Sequence, residues 1–243
     1  MVKKTGALLW GILAWINVET QSNAQCIWPE VSPGSYTDSV QTVHSRFLNQ
    51  IQDIQQNPCQ PGGIVFTGSS SIRIWKNMAS DFPDLPVCNT GFGGSTLPEL
   101  LNYLPQLVLN QKPKGLVLYC GENDISLPYS TVADIVAQFQ QLVDSLNLQL
   151  PSIPIWYISV KPSLRSRAFL VKQECVNREI QAIIAAQHSQ RWHYVDVRTP
   201  MLNPEGEPRP DLFLRDGLHM NENGYKIWQT QLQNQIAPYW LHK

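Results

Sequence analysis

Five short apolar runs, each followed by a stretch of helical periodicity, constrain this chain more than any other feature. The runs are Ile64–Thr67, Leu85–Cys88, Leu116–Tyr119, Ile153–Ser159 and His193–Asp196, all strand-length and mostly β-branched, aromatic or aliphatic. One helical pattern follows through Trp75, and a second starts near Thr96. The clearest carries Val132, Ile135, Val136, Phe139, Leu142, Val143 and Leu146 as one 3.6-residue stripe. Further helices are predicted from about Arg167 to Gln187 and from about Glu222, the latter ending before Pro238. An added N-terminal helix places Val40, Val43, Phe47, Ile51 and Ile54 on one face. This alternation predicts a single α/β domain, with helices on both faces of a parallel sheet.

The helix starts carry their own signals. Thr96-Leu97-Pro98-Glu99 reads as a capping box with proline in the first turn, and Ser130 and Asn221 are positioned to cap the third and last helices. Three polar motifs fall just beyond strand C-termini: Gly68-Ser69-Ser70-Ser71, Gly91-Phe92-Gly93-Gly94-Ser95 and Gly121-Glu122-Asn123-Asp124. In open α/β sheets that edge is where ligands bind. A fourth, Asp216-Gly217-Leu218-His219, lies in the long loop after the last strand, which can fold back over the same edge.

Composition narrows the class. At 243 residues, 43% hydrophobic and 15% charged, the chain suits one globular core. With 18 Lys+Arg against 19 Asp+Glu it offers no basic stripe for nucleic acid. Lys3 and Lys4, the apolar stretch Gly6 to Val18 and Ser22-Asn23-Ala24 form a signal-peptide pattern. Residues 1–24 are therefore expected to be removed on export to the periplasm or beyond, leaving no stable membrane span. Residues 25–62 form an N-terminal extension whose helix packs on the domain, and 63–243 form the domain itself. Five cysteines leave one unpaired. Cys88 and Cys120 sit in apolar runs that suit a buried free thiol, and Cys175 lies on a predicted helix. Cys26 and Cys59, in polar segments flanking the first helix, are the expected disulfide.

The motifs supply one coherent chemistry. Ser70 follows the first strand where the chain turns into a helix, so its hydroxyl is exposed at the sheet edge and its N–H points toward a developing negative charge. Gly91, Gly93 and Gly94 let backbone approach a substrate oxygen, and Asn123 offers an uncharged donor. Asp216 can reach one ring nitrogen of His219, leaving the other to take the serine proton. The glycine run lacks dinucleotide spacing and there is no Walker motif, so no nucleotide cofactor is expected. No second His or Cys stands at ligand spacing from His219, so no metal is expected either.

On these motifs the chain resembles the SGNH hydrolases, also called GDSL-type esterases/lipases, over roughly Gly63 to Trp240. It is most similar to exported bacterial members with a Gly-Ser-Ser-Ser-Ile first motif, and Ser69 replaces the aspartate of Gly-Asp-Ser. The resemblance implies a three-layer α/β/α fold with a five-stranded, flavodoxin-like sheet and no lid domain. It implies a Ser70, Asp216 and His219 triad, an oxyanion hole of Ser70, Gly94 and Asn123, no cofactor, and a small-molecule ester substrate. Short acyl or acetyl esters, of sugars or lysophospholipids among others, are the implied substrates. An acyltransferase using the same acyl-enzyme and a non-catalytic binding module on the same fold are the alternatives.

Overall fold

In the computed structural model, the structure describes Cys26 and residues 46–187 and 189–240. The signal-peptide expectation and the expected helical positions Val40 and Val43 lie outside those residues. Strands β1 (Ile64–Gly68), β2 (Val87–Asn89), β3 (Gly115–Tyr119), β4 (Ile155–Ile158) and β5 (Trp192–Val195) form one parallel sheet in the order β2-β1-β3-β4-β5. That is the flavodoxin-like order expected. Each expected strand is present, trimmed or shifted by up to two residues at its ends. Pro86, with no N–H to donate, stands immediately before the edge strand β2, which is only three residues long.

Successive strand residues point to opposite faces, and each face carries its own core. Val65, Leu116, Leu118, Ile155 and Tyr157 pack with α1 (Leu48–Gln56), α4 (Leu97–Asn102), α5 (Leu104–Leu107), α7 (Val132–Gln149) and α8 (Leu170–Ala185). Ile64, Phe66, Val117, Tyr119, Trp156, Ile158 and Val195 pack instead with α2 (Ser70–Arg73), α3 (Met78–Asp81) and α9 (Glu222–Trp240). A short helix α6 (Glu122–Ser126) follows β3. The three layers expected are thus present.

Several local expectations need correction. The helix expected through Trp75 is the short α2, which ends at Arg73, with α3 starting only past Trp75, and the helix from Thr96 breaks at Tyr103. Pro105 lies just past that break and has no N–H for a carbonyl one turn back. Thr131, not Ser130, caps α7, because its side chain accepts from the Asp134 N–H in a full capping box. Pro238 lies inside α9 rather than beyond it; only the last turn loses a hydrogen bond there. The capping box at Thr96 is present, and Asn221 Oδ1 accepts from the N–H of Asn223 at 2.9 Å.

The cysteines also pair differently. Cys59 bonds Cys88 and Cys26 bonds Cys175, while Cys120 is the buried free thiol. The expected Cys26–Cys59 link is therefore absent. Cys88 is on an edge strand and projects toward the α1 face, where Cys59 sits at the end of the loop leaving α1; the Cα atoms are 5.8 Å apart. Cys120 directly follows the central strand β3, where burial is complete.

Candidate active site

Register brings the polar motifs to one edge. Gly68 pairs with Tyr119, so β1 and β3 end level with each other, and Ser70 and α6 leave the sheet side by side. β2 ends two residues before Gly91, on the other side of β1. Gly68 is required where it stands: its φ is +126°, and a Cβ there would lie 1.9 Å from the Tyr119 carbonyl oxygen. The chain therefore turns sharply at Gly68, and Ser69 follows with its N–H donated to that same carbonyl at 2.9 Å. Ser69 is fully buried and its Oγ has no hydrogen-bond partner among the described residues. Ser70 opens α2, where its own N–H has no carbonyl one turn back.

The loop after β5 brings the acid and the histidine over this turn. Phe213 and Met220 form an antiparallel bridge, and Leu214 donates its N–H to the His219 carbonyl at 2.8 Å. The tip is anchored to the β4 side as well, because Arg165 N–H donates to Gly217 O at 3.0 Å. Ser70 Oγ lies 3.0 Å from His219 Nε2, and His219 Nδ1 lies 2.6 Å from Asp216 Oδ2. Asp216 Oδ1 accepts the N–H groups of Leu218 at 2.9 Å and His219 at 3.0 Å. Desolvation alone would raise the Asp216 pKa. The two backbone donors and the imidazole outweigh it and hold the carboxyl down at about 2. A carboxylate so held stays ionised wherever an imidazole titrates, and it fixes Nδ1 as the protonated nitrogen. A hydroxyl on Nε2 then faces a proton acceptor.

The remaining expected residues sit around the same hydroxyl-bearing turn. Gly94 has φ +73°, and a Cβ on it would meet nothing within 4 Å. Its conformation is thus a matter of backbone freedom rather than space. Asn123, on the first turn of α6, donates one amide N–H to the Ser95 carbonyl at 2.8 Å. That contact ties the amide to the glycine loop and leaves its second N–H available. Among the described residues no group of three or more His, Cys, Asp or Glu side chains is placed to hold a metal ion.

A buried ion pair supports the site from below. Lys161 Nζ lies 2.6 Å from Glu122 Oε1 and donates to the Leu218 carbonyl at 2.8 Å, while Tyr119 Oη donates to Glu122 Oε2 at 2.9 Å. Burial, then Glu122, push the Tyr119 phenol well above its ordinary value, so it remains a donor. The pair joins the helix bearing Asn123 to the loop bearing His219. Sequence reasoning missed Lys161, although a lysine closing the apolar run Ile155–Val160 is itself a signal of a partnered buried charge.

A GDSL-like lipase/acylhydrolase family model matches residues 61–227, most of the chain. The chain belongs to that family. An isoamyl acetate-hydrolyzing esterase of Schizosaccharomyces pombe is 26% identical over 156 residues, covering 62% of this chain; the chain spans 61% of that relative's length. Among solved structures, a GDSL-like lipase from Bacteroides thetaiotaomicron superposes with a TM-score of 0.66 at 20% identity, covering 81% of this chain and 98% of its own. An acetyl xylan esterase from Geobacillus stearothermophilus superposes with a TM-score of 0.58 at 16% identity, covering 73% and 95%. These likenesses show that the fold is shared with those structures. The α1 helix lies before the first residue of the family match.

Proposed function

We propose that this protein is a serine esterase that hydrolyses short-acyl carboxylic esters, acetates foremost. The observation that carries the reading is the unbroken hydrogen-bonded chain from Ser70 Oγ through His219 to Asp216. In this mechanism Ser70 Oγ attacks the acyl carbon and its proton passes to His219 Nε2. The carbonyl π electrons move onto oxygen, and the N–H groups of Ser70 and Gly94 and the free Asn123 amide N–H receive that oxyanion. The tetrahedral centre collapses, breaking the C–O bond to the alcohol, which leaves with the proton from His219. Water then attacks the acyl-enzyme with His219 again as base, releasing the acid and restoring Ser70. Asp216 stays ionised throughout and stabilises the transient imidazolium. The preference for acetates is supported by the two relatives whose names give an ester, isoamyl acetate and acetyl xylan.

The test is a panel of p-nitrophenyl esters of rising chain length. The expected outcome is a kcat/KM highest for acetate or butyrate and falling for longer chains. A maximum at long acyl chains would contradict the substrate reading, and no turnover of any ester would contradict the activity.

A further inference from the structure

We infer that the N-terminal helix α1, which precedes the family match, is a working part of the site. Its residue Gln50 and the adjoining Arg46 act as positioning residues for the oxyanion-binding backbone. The inference rests on the role proposed for Gly94. Gln50 Oε1 accepts the N–H of Gly93 at 2.8 Å, and Arg46 Nη2 donates to the carbonyl of Gly94 at 2.8 Å. These two bonds hold the peptide units on either side of the Gly93–Gly94 unit. The N–H of that middle unit is the Gly94 N–H, the one expected to meet the oxyanion. Both ends of the unit are fixed from outside the loop while its own donor is left for substrate.

A loop of this composition needs such a brace. Glycine loses more conformational freedom on ordering than any other residue, and nothing packs where a Gly94 Cβ would be. Oxyanion donors are effective only when they are held in place before the charge develops. The brace is itself anchored. Arg46 Nη2 also bonds Glu99 Oε2 at 3.2 Å, and the guanidinium lies 4.5 Å from the centre of the Phe47 ring. Phe47 is buried edge-on against Phe92, a residue of the same loop, with ring centres 4.9 Å apart. The Cys59–Cys88 disulfide ties the segment after α1 to β2, the strand that leads into the loop.

The experiment compares Arg46→Met, Gln50→Leu and their double variant with the parent, using p-nitrophenyl acetate and fluorophosphonate labelling of Ser70. Deleting one oxyanion donor typically costs about 10²–10³-fold. Loosening rather than deleting one is expected to lower kcat by roughly 5–50-fold in the double variant, with KM within about twofold. Arg46→Lys, which keeps a donor, is expected to recover activity relative to Arg46→Met. Ile51→Val, which trims a buried α1 side chain while keeping both hydrogen bonds to the glycine loop, is expected to lower Tm and leave kcat near the parent value. The inference is overturned if the double variant keeps the parent kcat while Ser70 still labels. It is overturned equally if Ile51→Val lowers kcat as much, since the helix would then act through stability alone. If the parent enzyme is neither labelled at Ser70 nor active on the ester, the role of Gly94 falls and the brace falls with it.

Discussion

Asp124 stands one residue from the oxyanion candidate Asn123, and its buried environment makes the stability of the fold depend on pH. Its Oδ1 accepts the N–H of Leu97 at 2.9 Å, and its buried Oδ2 has no partner among the described residues. Burial, only partly offset by that backbone donor, raises its pKa to about 6. The folded value exceeds the unfolded one, so the folded state holds the proton more tightly. The native state is therefore favoured at low pH, and the advantage is lost as pH rises from about 4 through about 6. Asp124→Asn keeps an acceptor for Leu97 and removes the ionisation. It is expected to be more stable than the parent by ~1–3 kcal/mol at pH 8, with the difference shrinking toward pH 4. Denaturant melts of both proteins at the two pH values measure this; a constant difference across pH would contradict it. At the same scale Asp216 behaves oppositely, because its oxygens are met by two N–H groups and an imidazole.

At the scale of elements, the disulfides tie the N-terminal segment to two different layers. Non-reducing peptide mapping is expected to return Cys26 with Cys175, Cys59 with Cys88, and an alkylatable Cys120 only after unfolding. Recovery of a Cys26–Cys59 peptide would contradict the arrangement. Loss of Cys59–Cys88, which spans 29 residues, is expected to cost roughly 3–4 kcal/mol on a chain-entropy argument. These pairings mark where sequence legibility ends. The apolar runs at Ile64, Leu116 and Ile155 identified their strands because they are buried on both faces, and such burial writes itself as continuous hydrophobicity. Cys88 sits in a similar run, but nothing local shows that its strand is an edge with a thiol opposite. Ser70, Gly94, Asn123, Asp216 and His219 could be singled out as candidates because each belongs to a short motif with a local turn, and the structure brings Ser70, His219 and Asp216 into contact. Arg46, Gln50 and Lys161 could not, since their partners lie 48, 43 and 57 residues away along the chain. Thr131 rather than Ser130 at the α7 cap, and Pro238 within α9, turn on backbone details that neighbouring residues leave open.

Across the whole molecule, the candidate site forms where a parallel sheet ends all its strands at one edge. β1 presents Ser70, β2 leads to Gly94, and β3 leads to Asn123, while the loop after β5 returns His219 and Asp216 over them. The Lys161–Glu122 pair ties α6 to the loop bearing His219, and Arg46 and Gln50 tie the glycine loop to the segment at the start of α1. The central claim is that Ser70, and neither of its neighbours, is the nucleophile of this assembly. Ser69 and Ser71 are buried at 0% and 1% exposure, which separates three adjacent hydroxyls by access alone. The most direct test is to react the protein with a fluorophosphonate and locate the adduct by tandem mass spectrometry, alongside Ser70→Ala and His219→Ala. The account predicts one adduct, on Ser70, abolished by Ser70→Ala and slowed about 10³-fold or more by His219→Ala. An adduct on Ser69 or Ser71, or full ester hydrolysis by Ser70→Ala, would contradict it.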